Sequence, residues 1–492
     1  MTLTHIFTSI LPIVILTGFA LLVLIVEAVL KKDENKIVSF ILSLVGILAS
    51  LIILFVNLSD KMNITIFGGS LRIEKIGLAF SIIICFGALL VVLISHYYIK
   101  RIHSKLGEFY SLILFATVGM ISMAFSNDMM TFFISLEVMS IAIYVLAGFN
   151  VRNLRSNESA LKYFIMGAFS SAFLLLGIAF IYGTTGVLGF NEIKDVLSNP
   201  KIANFNLSIL GLGFILIGFL FKIGAFPFHQ WVPDVYEGAP TSVTAFMATG
   251  VKTAAFAIII RILFNVFELD KYSHNWVVIL AVISALTMII GNFIALVQTN
   301  IKRLLAYSGI AHTGYILLGI IAAKFDNTKG QDAVIFYLLA YTIMNIGAFA
   351  VLISASKEGK GIETLEDIRG LGYRNKLMAM CMAFLFFSLA GIPTTAGFMG
   401  KFFIFKELLI AAKISANYST GLYILAIIGI GTAIVSVYYY LKVVVYLYLK
   451  EESLDYETYK PRWNHTLVVF ITFILTLILG IFPYLGFNIL NI

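Results

Sequence analysis

Apolar residues run along this chain in uninterrupted blocks, separated by short polar stretches. A membrane-spanning helix needs about 20 mostly apolar residues. Fourteen such blocks are readable, beginning near Ile6, Ile37, Gly77, Glu108, Asp128, Ser159, Phe205, Ala239, Asn275, Ile301, Asp332, Lys376, Thr420 and Thr466. Their continuity excludes the two-residue alternation of a lipid-facing barrel. In hydrocarbon the remaining way to satisfy the backbone is the helix. The pattern therefore predicts an all-α polytopic membrane protein of about 14 transmembrane helices, a single membrane domain spanning 1–492 without a long loop or low-complexity linker.

Two blocks are interrupted. One carries Gly224, Pro227, Pro233 and Pro240, and the other Gly391, Pro393, Gly397 and Gly400. A proline within a helix removes a donor and clashes with the carbonyl four residues back, here that of Ile223 or Leu389. Blocks seven and twelve are expected to be discontinuous helices. Paired discontinuous helices are a sequence pointer to an ion site in transporters built from inverted repeats. Their five-block separation predicts two inverted five-helix repeats, at about 108–267 and 275–449.

Composition agrees: 60% of residues are hydrophobic, only 12% are charged, and the 492-residue chain carries a formal net charge of +8. The basic excess lies in loops without interleaved aromatics, so nucleic acid is not the expected partner. Cys85 and Cys381 are far apart inside apolar blocks, which argues against a cluster or structural zinc. The first block is longer than a signal-peptide core and ends at Lys31–Lys36 without a small-residue cleavage site, so it is expected to be retained. Alternate loops, from Lys31 through Arg152 to Arg462, hold 18 Lys and Arg against 10 in the opposite set. The positive-inside rule then places the richer set in the cytoplasm and both termini outside.

Ionisable groups at membrane depth carry the chemistry. A charge at mid-span costs roughly 2.5–3.5 kcal/mol on insertion scales and usually marks function. Glu137, Lys222, Lys252, His312 and Lys401 fall within spans, and Lys162 lies in the first turn of span six. In general, desolvation lowers a lysine's pKa from about 10.4 while a nearby carboxylate raises it. A lysine between those influences can change protonation when its partner moves. Glu137 with Lys222 is the expected switching pair, with Lys252 passing a proton through water and His312 bridging towards Lys401. Plainer roles exist as well: Lys162 can snorkel, His312 can be a packing residue, and Arg261 and Lys442 lie near span ends, where snorkelling is expected. His229, Asp234 and Glu237 are expected to pin the loop after the first break. No dinucleotide fingerprint or P-loop occurs, and His312 is the one mid-span histidine, which does not suit a membrane haem.

Three runs carry a resemblance: FKIGAFPFHQWVPDVYEGAPTSVTAFMA at 221–248, QTNIKRLLAYSGIAHTGY at 298–315 and SLAGIPTTAGFMGKF at 388–402. They resemble the antiporter-like membrane subunits of respiratory complex I, the NADH–quinone oxidoreductase. Among the three related kinds the chain looks most like subunit N, the equivalent of mitochondrial subunit 2, given Lys401, the ending Tyr236–Pro240 and the absence of a long C-terminal lateral helix. The resemblance covers essentially the whole chain. It implies a proton-translocation axis of Glu137, Lys222, Lys252 and Lys401, with Lys162 and His312 attached. It also implies no cofactor or metal on this chain, NADH, FMN, iron–sulfur clusters and quinone belonging to other subunits. The implied partners are the other membrane subunits of that complex, in the inner membrane of a bacterium. Two alternatives share the pattern: a subunit of a multi-subunit cation/proton antiporter, and one of a related ferredoxin-dependent complex.

Overall fold

The computed structural model describes residues 3–29, 35–101, 106–199, 204–356, 362–450 and 462–492. The loop residues Lys31, Lys32, Lys105, Lys201, Lys357, Lys360 and Lys460, which entered the orientation count, and His103 lie outside them.

Helices α1 (Leu3–Val29) and α2 (Asn35–Ser59) lead into a hairpin of β1 (Ile64–Ile66) and β2 (Leu71–Ile73). Then come α3 (Lys75–Arg101), α4 (Leu106–Phe125), α5 (Met129–Ala147), α6 (Leu154–Thr185), the short α7 (Phe190–Ser198), α8 (Phe205–Ile223), α9 (Trp231–Gly238) and α10 (Thr241–Phe246). A π-helical turn, Met247–Val251, joins α10 to α11 (Lys252–Asn265). The remainder comprises α12 (Asp270–Val297), α13 (Ile301–Ala323), α14 (Asn327–Ala355), α15 (Leu371–Arg374), α16 (Lys376–Ala390), α17 (Ala396–Ile414), α18 (Ser419–Tyr448), α19 (Trp463–Ile481) and α20 (Pro483–Ile489).

Among the described residues, 13 helical segments are long and apolar enough to cross a membrane. Each coincides with an expected block. The fourteenth block is the pair α16 and α17, too interrupted to count as one helix. Both breaks fall where proline and glycine placed them. Helix α8 stops at Gly224 with φ 68°, and α16 stops at Gly391 with φ 90°, left-handed conformations that a side chain disfavours. Helix α17 restarts where the Thr395 side chain accepts from the Phe398 amide.

Helices α11, α13 and α14 are almost wholly buried and form the middle of the bundle. Around them α1, α2, α6, α12 and α18 turn large apolar side chains outward, such as Leu161, Phe169, Ile427 and Ile434. Such faces are stable where the surroundings are hydrocarbon.

The hairpin, α7 and the π turn had no visible counterpart in the hydropathy pattern, because three-residue strands and one widened turn leave no periodic trace. Arg261 also departs from expectation. It does not snorkel: it is buried, donates to the Ser126 carbonyl at 2.6 Å and the Arg72 carbonyl at 3.0 Å, and pairs with Glu74 at 2.5 Å. Arg72 of β2, Glu74 just after it and Ser126 between α4 and α5 supply those partners, so the side chain has no reason to reach for water.

Candidate functional site

Lys222 occupies the last turn of α8, just before the first break, and is buried. Its ammonium donates to Ser140 Oγ at 2.8 Å and to Tyr144 Oη at 3.2 Å, both on α5. The carbonyl of Phe221, beside the break, accepts from the Trp231 indole at 3.0 Å as well as from the Gly224 amide. Trp231 stacks on Tyr163, with ring centroids 4.4 Å apart.

Glu137 lies one turn before Ser140 on α5, half-buried, and accepts from Ser171 Oγ at 2.5 Å. The switching pair is therefore not in contact: Glu137 and Lys222 form no ion pair. Hydroxyl groups explain this, since Ser171 holds the carboxylate while Ser140 and Tyr144 hold the amine. Positions three apart on a helix surface remain neighbours, so amine and carboxylate occupy adjoining places along one face of α5.

Lys252 opens α11 directly after the π turn. Its ammonium donates to the Gly309 carbonyl at 2.7 Å and lies 5.4 Å from the centre of the Tyr341 ring. Single π turns inside α-helices are frequently found at functional sites; here the turn precedes the lysine immediately. His312, on α13, is bonded through Nδ1 to Tyr337 Oη at 2.6 Å and through Nε2 to Tyr440 Oη at 3.0 Å. Tyr440 is bonded in turn to Ser308. Lys401 donates to the carbonyls of Leu389 at 3.0 Å and Ala390 at 2.8 Å, the loose C-terminal end of α16, and lies 5.3 Å from the Tyr315 ring centre.

Buried tyrosines connect these groups. Tyr163 is within electrostatic range of Glu137 and Tyr144. Tyr236 is within range of both Tyr163 and Tyr341. The Tyr341 ring centre is 5.0 Å from that of His312, and its hydroxyl has no hydrogen-bond partner. Tyrosine rings thus stand beside each of these groups: Tyr144 and Tyr163 by Lys222, Tyr341 by Lys252 and His312, and Tyr315 by Lys401. Sequence reading missed them, because tyrosine counts as apolar in a hydropathy scan. The one signal was spacing: Tyr337 and Tyr341 stand one turn apart.

Lys162 stands apart from this line. It is partly exposed and bridges Glu158 at 2.7 Å and Asp234 at 3.0 Å. These groups line a cleft of about 230 Å³ with Arg155, Glu237 and Arg303. Arg303 pairs with Asp234 at 2.8 Å and Glu237 at 2.9 Å. Lys302 donates to the carbonyls of Glu237 at 2.6 Å and Ala239 at 2.7 Å. Asp234 and Glu237 thereby pin α9, the segment after the first break, to α6 and α13. His229 makes no such contact through Nδ1, which is buried without a partner. Lys442, half-buried, reaches the Gln298 carbonyl at 3.3 Å. Among the described residues no group of three or more His, Cys, Asp or Glu could hold a metal.

Broken helices, buried lysines and a helical bundle of this shape define the antiporter-like class of membrane subunits. The profile described as "NADH:quinone oxidoreductase/Mrp antiporter, TM" matches residues 126–429. The chain is 42% identical over 474 residues to NADH-quinone oxidoreductase subunit N of Trichlorobacter lovleyi, covering 96% of this chain and 94% of that one. It is 38% identical to the same subunit of Rhodospirillum rubrum, covering 90% and 88%. Among solved structures, a chain of respiratory complex I from Thermus thermophilus superposes with TM-score 0.79 at 32% identity, covering 97% and 98%. A chain of the Mrp complex of Dietzia has TM-score 0.82 at 18% identity, covering 98% and 96%, a likeness of fold alone. This chain belongs to the NADH-quinone oxidoreductase subunit N family.

Proposed function

We propose that this chain is a proton-translocating membrane subunit of an NADH–quinone oxidoreductase, and that Glu137, Lys222, Lys252, His312 and Lys401 carry the protons. It assembles with the other membrane subunits in a bacterial inner membrane. NADH, FMN, iron–sulfur clusters and quinone are handled by partner subunits. Both termini lie on the outer side, and the two interrupted helices belong to inverted repeats at about 108–267 and 275–449.

One observation carries the reading: three lysines, each at most 6% exposed, lie beside the two helix breaks and the π turn, on α8, α11 and α17, and none is paired with a carboxylate. An ammonium locked to a carboxylate would hold its proton tightly. These amines rest on hydroxyls and carbonyls, with tyrosines between them. Lys222 occupies one place on α5 while Glu137 marks the adjoining one. Movement of the amine by one turn, when Glu137 is freed from Ser171, would change its stabilisation and drive a proton along the tyrosine route. Side chains on separate helices leave gaps, and water completes the path. Lys162 does not belong to the buried line; it guards the polar cleft at the cytoplasmic end.

The test is Lys222→Ala in the fully assembled complex. NADH oxidation coupled to quinone and proton pumping should fall together, by roughly tenfold, equivalent to about 1.4 kcal/mol of barrier. Normal pumping with assembly confirmed would refute the relay. The antiporter alternative has the same fold on its side. Purification with partner subunits that oxidise NADH, rather than with antiporter subunits, decides between the two.

A further inference from the structure

The relay accounts for Lys401 and His312 but not for Glu407, which follows Lys406 in the sequence. Glu407 lies on α17, is 6% exposed, and is enclosed by this chain's own helices. Its Oε1 meets the Lys406 ammonium at 3.1 Å. Its Oε2 is buried and has no hydrogen-bond partner. A buried carboxylate oxygen left unpaired is expensive, so its retention needs a reason.

Position supplies one. Six residues separate Lys401 from Glu407, a rise of about 9 Å along the helix towards the outer end. Glu407 is two turns beyond Gly400, and Gly400 packs against Tyr337, the residue hydrogen-bonded to His312. Seven residues are close to two full turns, so Glu407 shares the face that meets α14. There it is within electrostatic range of Asp332, which also senses Lys75 and Asp326. Lys75 lines a cleft of about 480 Å³ at this end of the bundle, together with Glu74 and Asn491. Between Tyr337 and Glu407 the contact is apolar: Ile404 and Val334 close against Gly319.

At the outer end of α11 stands Arg261, whose partner Glu74 is one of the residues lining that cleft. Arg261 is fixed there by Glu74 and two backbone carbonyls, 2.5–3.0 Å away. A fixed guanidinium beside a proton path is an electrostatic barrier. Arg261, further along α11 than Lys252, therefore opposes release straight outward from that lysine.

We propose that Glu407 is the proton-releasing group of this subunit, resting on the relay reading above. A proton leaving the His312–Tyr337 end passes, when water wets the Ile404–Val334 contact, to Glu407 Oε2 and makes the carboxyl neutral. It then moves to Asp332 and on to water in the outer cleft, returning Glu407 to the carboxylate. The apolar contact stays dry otherwise and prevents back-leak.

The experiment compares Glu407→Gln, Glu407→Asp and Lys406→Ala in the assembled complex in sealed vesicles, with Lys222→Ala as reference. Glu407→Gln should slow NADH-driven proton release by roughly tenfold or more, the scale of a positioned proton-transfer group. Glu407→Asp should recover most of the rate, and Lys406→Ala should be close to wild type. Normal release with Gln at position 407 overturns the outlet, as does an equal loss in Lys406→Ala, which marks a structural pair. If Lys222→Ala pumps normally, the relay itself fails, whatever position 407 does.

Discussion

Replacing Lys401 by methionine should cost more stability than the same replacement at Lys222, although both remove a buried amine of one size. The ammonium of Lys401 is the donor to the carbonyls of Leu389 and Ala390, which are 0% and 4% exposed. Both belong to the last turn of α16, where the helix has no amide of its own to offer. Methionine leaves two buried acceptors unpaired, at about 1–3 kcal/mol each. Lys222 donates to hydroxyls instead. Ser140 Oγ already donates to the Leu136 carbonyl at 2.5 Å, and Tyr144 keeps a proton of its own to offer. The gain from no longer burying an ammonium, roughly 2.5–3.5 kcal/mol on insertion scales, is common to both variants and cancels in the comparison. The expected difference is therefore about 2–6 kcal/mol. It is read as the temperature at which half of the assembled complex survives a fixed heating interval, followed on native gels. Equal survival of the two variants would refute the claim that Lys401 serves as a cap on the broken helix.

Tyr341→Phe removes a hydroxyl that has no hydrogen-bond partner, so heat survival should stay within about 1 kcal/mol of wild type. Proton pumping per unit time should nevertheless fall, and an unchanged rate would remove Tyr341 from the route. Gly397→Ala places a methyl group 1.9 Å from the Ser388 carbonyl oxygen. Overpacking on that scale costs about 3 kcal/mol or more, and native gels should show little assembled complex. Arg261→Met strands Glu74, which keeps Arg72 at 2.9 Å but loses its buried partner. Breaking such a pair costs about 3–5 kcal/mol when fully buried, and the 17% exposure of Glu74 reduces that to about 2–3. Adding Glu74→Gln should restore part of the lost heat survival.

The architecture was legible because lipid imposes a coarse rule. Runs such as 277–291 are apolar for almost their full length, and the proline and glycine clusters around Pro227 and Pro393 mark their own breaks. Lys222, Lys252 and Lys401 were legible for the same reason, since an amine stands out against an apolar block. Partners were not. That Lys222 meets Ser140 and Tyr144 rather than Glu137 depends on the rotation of α8 against α5, which no single helix encodes. Tyr236 and Tyr341 were invisible because their value lies in one hydroxyl at the end of an apolar ring. Arg261 was misjudged because its depth was counted along its own helix, while a hairpin nearly two hundred residues earlier decided its surroundings.

The distribution of charge pairs ties the fold to the proposed work. Among the described residues, most carboxylates in ion pairs sit near the ends of helices or in loops, Glu407 within α17 being an exception: Glu74 with Arg261, Asp234 and Glu237 with Arg303, Glu268 with Lys194, Asp270 with Lys324. Arginine does most of this clamping, suited by a fork of donors and a charge it does not surrender. Beside the helix breaks and the π turn the cations are lysines, and their partners are hydroxyls, carbonyls and rings. A pair formed with a full carboxylate in low dielectric would be deep and slow to break. Contacts with neutral dipoles are shallower, so a lysine held by them can give up its proton when a neighbouring charge moves. The bundle thus spends its strong electrostatic contacts on holding its ends in place and leaves weak ones along its middle, the division of labour that a pump requires and a scaffold does not.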